Sequence, residues 1–190
     1  MFILRKIYFF LLDTIQTILI TASFLMVIYA FVMQPNQVSG SSMYPTFKDK
    51  EFLLSYLLDV RLDKYKRGDV VVFHSPVELE KLYIKRVIGV TGDRIMVQGG
   101  KLFRNGEQVD ESLYLSPEVQ TLGGAYLQEG VEQIVPEGHI CVMGDNRPYS
   151  SDSREWGFLP KNRVVGKSVV RVYPFTQFHL VHNPYTEGKI

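Results

Sequence analysis

From Ile15 to Met33 the chain runs nineteen residues without a charge, close to the ~20 that a helix needs to cross a hydrocarbon core of about 30 Å. Beyond it the pattern shortens. Phe52–Tyr56, the β-branched run at 68–73 opened by Gly68, the apolar stretches at 82–89 and 139–143, and the run at 169–175 all have the length and composition of strands. Lys101 to Val109 reads as a hairpin with Asn105-Gly106 at its tip. Residues 110–135 carry Pro117, Gly123, Gly124 and Gly130 with weak periodicity, which predicts an exposed loop or small insertion. The fold class expected is mainly β, with one N-terminal transmembrane helix.

Arg5 and Lys6 precede the uncharged run. Its length, and the lack of a small-x-small pair after it, favour a signal anchor over a cleavable signal peptide. The positive-inside rule places the N-terminus in the cytoplasm and the rest outside, although Lys48 and Lys50 sit near the outer limit of the counting window. Pro35 is expected to close the helix. Residues 1–34 then form the cytoplasmic tip and anchor, and 35–190 an extracytoplasmic domain in which 94–138 is a hairpin and variable connection. The aromatics Tyr173, Phe175 and Phe178 read as core residues, or as side chains resting at the membrane interface.

Composition narrows the chemistry. A net charge of +1 offers no basic field for nucleic acid. One cysteine, Cys141 in an apolar stretch, cannot form an intramolecular disulfide, and it reads as a core residue. Four scattered histidines have no zinc-site spacing. Neither a metal nor a cofactor is expected.

The stretch Gly40 to Thr46, GSSMYPT, offers Ser42 as a nucleophile close behind the anchor. Ser42 lies nine residues beyond Met33, and an extended chain covers at most ~3.6 Å per residue, so it stays within roughly 30 Å of the bilayer. A polar turn would account for this stretch by itself. A serine needs a nearby base, however, and Lys85 stands in the apolar run 82–89, where burial would lower its pKa from about 10.4 toward roughly 7 to 8. That is the chemistry of a Ser/Lys dyad. In the turn-rich stretch 143–158, an Asp145–Arg147 or Asp152–Arg154 ion pair would fix loop shape, and Ser150 could orient the Lys85 amine.

Three stretches, GSSMYPT at 40–46, YIKRVIGVTGD at 83–93 and MGDNRPYSSDSREWGF at 143–158, resemble the bacterial type I signal peptidases in order and wording. The likeness is to the shorter Gram-positive and cyanobacterial types. It implies a signal-peptidase-like antiparallel β catalytic domain, related in its core to the self-cleaving SOS repressors. It further implies a membrane-bound serine endopeptidase that removes signal peptides from exported preproteins, cutting after an Ala-x-Ala pattern through an acyl-enzyme, without a cofactor. Its implied partners are those signal peptides and the lipid bilayer, in the plasma membrane or a thylakoid.

Carried over residue by residue, the resemblance makes Ser42 the nucleophile, Lys85 the general base and Ser150 the lysine-orienting hydroxyl. Asp145, Asn146, Arg147, Asp152, Arg154 and Arg86 become structural supports of the site. Val38, Met43, Phe47, Tyr83 and Ile84 become neighbours of the substrate pockets. The oxyanion would be held by the Ser42 backbone and the Gly40 region. Gly40 departs from members with a serine there, whose hydroxyl helps hold the oxyanion; loss of one such donor costs about 2.7 to 4 kcal/mol elsewhere. Pro148 and Tyr149 replace an Asp and an Asn common in the family. Two other readings compete. A self-cleaving repressor would need a DNA-binding head in place of an anchor, and a degenerate tethered binding module would have lost Ser42 or Lys85.

Overall fold

The computed structural model describes residues 2–181 and 183–185; the remainder of the 1–34 and 35–190 spans lies outside the described residues. Helix α1 (Phe2–Phe31) starts well before the uncharged run and takes in Arg5, Lys6 and Asp13. None of its side chains is buried within the protein. Apolar helix formers from Ile7 to Leu12 continue it toward the N-terminus. The hydroxyls of Thr14, Thr17 and Ser23 each bond the carbonyl four residues back, which satisfies them inside an apolar surround.

The helix ends at Phe31, ahead of Pro35. The strands that follow are β1 (Met33–Gln37) and β2 (Phe52–Tyr56), then, after the single turn α2 (Leu58–Arg61), β3 (Val70–His74) and β4 (Leu82–Val90). Next come β5 (Arg94–Gln98), β6 (Lys101–Arg104), β7 (Glu107–Gln108), β8 (Gln133–Ile134) and β9 (His139–Met143). After the short α3 (Ser153–Trp156) the chain closes with β10 (Leu159–Pro160), β11 (Val164–Tyr173) and β12 (His179–Leu180). Pro35, expected to stop the helix, instead pairs with Leu54 within β1. It is tolerated there because β1 is an edge strand, where a missing N–H breaks no ladder.

Two antiparallel sheets result. The larger has the order β1-β2-β11-β3-β4-β9-β10, with β12 also on β11; the smaller is β7-β6-β5-β8. Strand β3 is an unbroken apolar run because both of its faces are covered. Val70 and Val72 join Val38, Met43, Phe47, Leu53 and Ile84, while Val71 and Phe73 join Val87, Ile140, Val142, Leu159 and Val164. A third cluster binds the two sheets through Ile88, Ile95, Val97, Leu102, Leu127, Cys141 and Met143. The β6–β7 hairpin turns at Asn105 and Gly106, both at positive φ, as an Asn-Gly turn requires.

The 110–135 stretch is, as expected, mostly exposed irregular backbone, but four buried side chains, Leu115, Thr121, Leu127 and Val135, fasten it to the core. Its periodicity is weak because it packs as irregular backbone, and a Cβ at Gly123 or Gly124 would press on the backbone of Leu127 or Arg154. Tyr173, Phe175 and Phe178 are not core residues; they are exposed, and Tyr173 meets Phe52 and Phe175 edge to face at 6.1 and 5.8 Å.

Leu127→Ala is expected to lower stability by about 2–5 kcal/mol through the cavity left between the sheets. Urea unfolding would check it; an unchanged midpoint would mean that Leu127 does not fasten the stretch to the core.

Candidate active site

Ser42 lies in the turn between β1 and β2, and this turn is pinned at many points. Val38 and Lys50 or Glu51 bridge its ends through backbone hydrogen bonds of 2.8 Å, and Phe47 N–H closes on Met43 O. The Gly40 N–H donates to Asp49 Oδ1 at 2.8 Å. Thr46 Oγ1 donates to Asp145 Oδ2 at 2.6 Å, and the Arg171 guanidinium donates to the Thr46 carbonyl. Arg171 is itself paired with the buried Glu51. From the opposite loop, Asn146 N–H donates to Ser42 O at 2.9 Å and Asn146 Nδ2 to Ser41 O at 3.0 Å.

Lys85 and Arg86 follow one another on β4, so they leave the strand on opposite faces. Lys85 is 3% exposed. Its Nζ is 2.7 Å from Ser42 Oγ and 3.0 Å from Ile84 O, and it lies 5.1 Å from the centre of the Tyr83 ring. Burial pushes its pKa down to about 8, a fall that Asp152 and Asp145 oppose and Arg154 reinforces. Arg86 instead meets Asp145 through two hydrogen bonds of 2.9 and 2.7 Å, and donates to Gly68 O. Asp145 thereby keeps Arg86 charged despite burial.

The loop after β9 completes the surroundings. Asp152 caps α3, accepts the Gly144 N–H at 3.1 Å, and holds Arg154 through two side-chain bonds of 2.8 Å. Gly144 has no room for a side chain, since a Cβ there would overlap Ser150 Oγ and Ser42 O. Arg147 donates to Gly144 O at 3.0 Å and pairs with Glu111.

Several site expectations change. The Asp152–Arg154 pair forms, but Asp145 pairs with Arg86 and not with Arg147, because the Arg147 side chain is taken up by Glu111 and Thr121. Ser150 Oγ is buried and has no hydrogen-bond partner among the described residues, so it does not bond the Lys85 amine here. Gly40, at φ +89°, has open space beside it but a backbone that side chains rarely adopt, and its N–H is occupied by Asp49. A small open cleft is walled by Val38, Leu53, Val72, Leu82, Tyr83 and Ile84. Met43 and Phe47, expected at its border, lie wholly inside the core beneath. Glu111, Thr46, Arg171, Glu51 and Asp49 were missed. Isolated polar residues in turns and strands carry no spacing that would distinguish them.

Residues 11–173 match the family model described as signal peptidase, peptidase S26. The chain is 32% identical over 185 residues to a signal peptidase IB of Staphylococcus aureus strain MRSA252, covering 92% of this chain and 95% of that protein. It is 41% identical over 155 residues to a signal peptidase I of Bacillus caldolyticus, covering 78% and 84%. Among solved structures it is similar to a signal peptidase I of Enterococcus faecalis V583, 30% identical, covering 55% of this chain and 96% of the other at a TM-score of 0.45.

Asp145→Ala would leave Arg86 buried without its counter-charge and is expected to cost about 3–5 kcal/mol. Adding Arg86→Met should recover most of that loss, and the urea midpoints of the single and double variants would test both statements.

Proposed function

Since the chain belongs to the bacterial type I signal peptidases, serine proteases that remove signal peptides, we propose that Ser42 is its nucleophile and Lys85 its general base. The observation that carries this reading is the 2.7 Å contact between Lys85 Nζ and Ser42 Oγ, made by a lysine whose burial pushes its pKa to about 8. A substantial neutral fraction near neutrality makes the amine a proton acceptor.

In the reactive state neutral Lys85 takes the Ser42 proton as Oγ attacks the scissile carbonyl carbon. The developing oxyanion is met by the Ser42 N–H, which has no partner among the described residues. Gly40 N–H, held by Asp49, is not free to be the second donor in this arrangement. Lys85 then returns the proton to the departing amine and the C–N bond breaks, leaving an ester on Ser42. A water molecule, giving its proton to Lys85, attacks that ester; Ser42 leaves with the proton, and the signal peptide's new carboxyl terminus is freed.

Specificity follows from the cleft. Strand β4 pairs with β9 only from Arg86 onward, so the backbone of residues 82–85 has an open edge along which an extended peptide can add as a strand. Alternate side chains of such a strand face the same way. The first and third residues before the cut would therefore enter the shallow apolar cleft of Val38, Tyr83 and Ile84, which favours an Ala-x-Ala pattern. In this reading α1 anchors the protein with its N-terminus in the cytoplasm, residues 35–190 act outside, and the substrate's own apolar segment raises its effective concentration at the site.

Cleavage of a model preprotein in detergent is expected to fall by about 10⁴-fold or more in Ser42→Ala and in Lys85→Ala, with both variants folded. Because the neutral amine is the active form, kcat/KM should rise with pH through a midpoint of about 8 and be lost below it. Full activity in either folded variant would overturn the dyad.

A further inference from the structure

Residues 111–115 form one tight turn, in which the Tyr114 and Leu115 N–H groups both donate to Glu111 O, at 3.1 and 2.9 Å. Leu115 is buried and fastens the turn. Two side chains of this turn, Glu111 and Tyr114, reach two arginines of the site, Arg147 and Arg86. The Glu111 carboxylate grips the Arg147 guanidinium with both oxygens, one at 3.0 Å from Nη1, and its Oε1 also accepts the Tyr114 hydroxyl at 2.8 Å. The Tyr114 ring lies beneath Arg86, whose guanidinium carbon is 4.3 Å from the ring centre. The Tyr114 hydroxyl is also 3.1 Å from that of Tyr185.

We propose that Glu111 is a positioning residue for the dyad, acting through Arg147 on the backbone of Gly144. This role rests on the Ser42/Lys85 dyad proposed above. Arg147 has one donor on Gly144 O and others on Glu111 and Thr121. Gly144 is packed against Ser42 O and Ser150 Oγ so closely that not even a methyl group fits. Glu111 therefore fixes where Gly144 sits, and Gly144 bounds the space in which Ser42 stands.

Charge makes the same link. Arg147 is fully buried, and Glu111 is the carboxylate it contacts. With Glu111 neutralised, the carboxylate whose field Arg147 already feels is Asp145, which holds Arg86 and the Thr46 hydroxyl of the nucleophile loop. Competition for Asp145 would loosen Thr46. The groups facing the Lys85 amine are Ser42, the Tyr83 ring, Asp145, Asp152 and Arg154. An uncompensated Arg147 adds positive charge to this set and draws Asp145 from it, and both changes disfavour protonated Lys85.

The test uses the full chain in detergent and compares wild type with Glu111→Gln and Glu111→Asp. Displacement of a reacting group by about 1 Å can cost 10²-fold, so kcat is expected to fall by roughly 10- to 100-fold in both variants with KM within about twofold. The acid limb of the pH profile should move to lower pH in Glu111→Gln and stay in place in Glu111→Asp, which keeps the charge. Isotope-edited NMR titration of the Lys85 amine gives the same comparison without substrate. A wild type that fails to cut while this shift appears would therefore count against the activity and not against the positioning role. If Glu111→Gln does not fold, Glu111→Leu combined with Arg147→Met removes the buried charges together; it should fold and retain the low kcat. Wild-type kcat in that pair, or losses in Gln and Asp that track stability with the acid limb unmoved, would overturn the proposal.

Discussion

Two cationic side chains that follow one another on β4 are both buried, and they are treated in opposite ways. Arg86 receives a carboxylate with two hydrogen bonds and stays charged. Lys85 receives a hydroxyl and a carbonyl, and the cost of burying an ammonium lowers its pKa to about 8. The alternation of a strand makes this separation possible, because adjacent residues cannot compete for one partner on one face. The Ser42 turn, the loop after β9 and the pairing of Asp145 all serve to keep the carboxylate on the arginine side.

That division explains why the buried ion pairs here are retained. Arg86–Asp145, Arg154–Asp152, Arg147–Glu111 and Arg171–Glu51 are all largely shielded from water, and such pairs contribute little net stability compared with apolar packing. Their value is directional. Each ends on a backbone group or side chain of the two loops that face one another across Ser42: the Thr46 hydroxyl, Thr46 O, Gly144 O and Arg147 O. Irregular loops have no ladder of their own, so charged side chains supply the hydrogen bonds that hold them.

Much of this was legible in the chain before folding. The uncharged run, the strand at 52–56 and the Asn105-Gly106 hairpin are written in local chemistry, as are Ser42 behind the anchor and Lys85 within an apolar strand. What could not be read depends on contacts between distant residues. Glu111 stands 36 positions before its partner Arg147 in a stretch without period, and nothing nearby shows that its carboxylate is buried. Asp145 was assigned the wrong arginine because sequence neighbourhood favours Arg147, whereas the β4–β9 pairing brings Arg86 beside Met143. Pro35 misled for a related reason: as a helix breaker it also suits an edge strand, and the position of an edge is set by the whole sheet.

One residue, Val32, separates the helix from the edge strand that follows it, and its N–H still bonds to Ile28 O. Gln37, Val38 and Ser39 at the end of that strand form one wall of the cleft. No flexible tether therefore intervenes between the anchor and the wall. With α1 crossing the bilayer as proposed, this connection and not a flexible linker would set the height of the cut above the membrane. A preprotein whose polar spacer is too short or too long would present its peptide bond at the wrong level, however well its side chains suited the cleft.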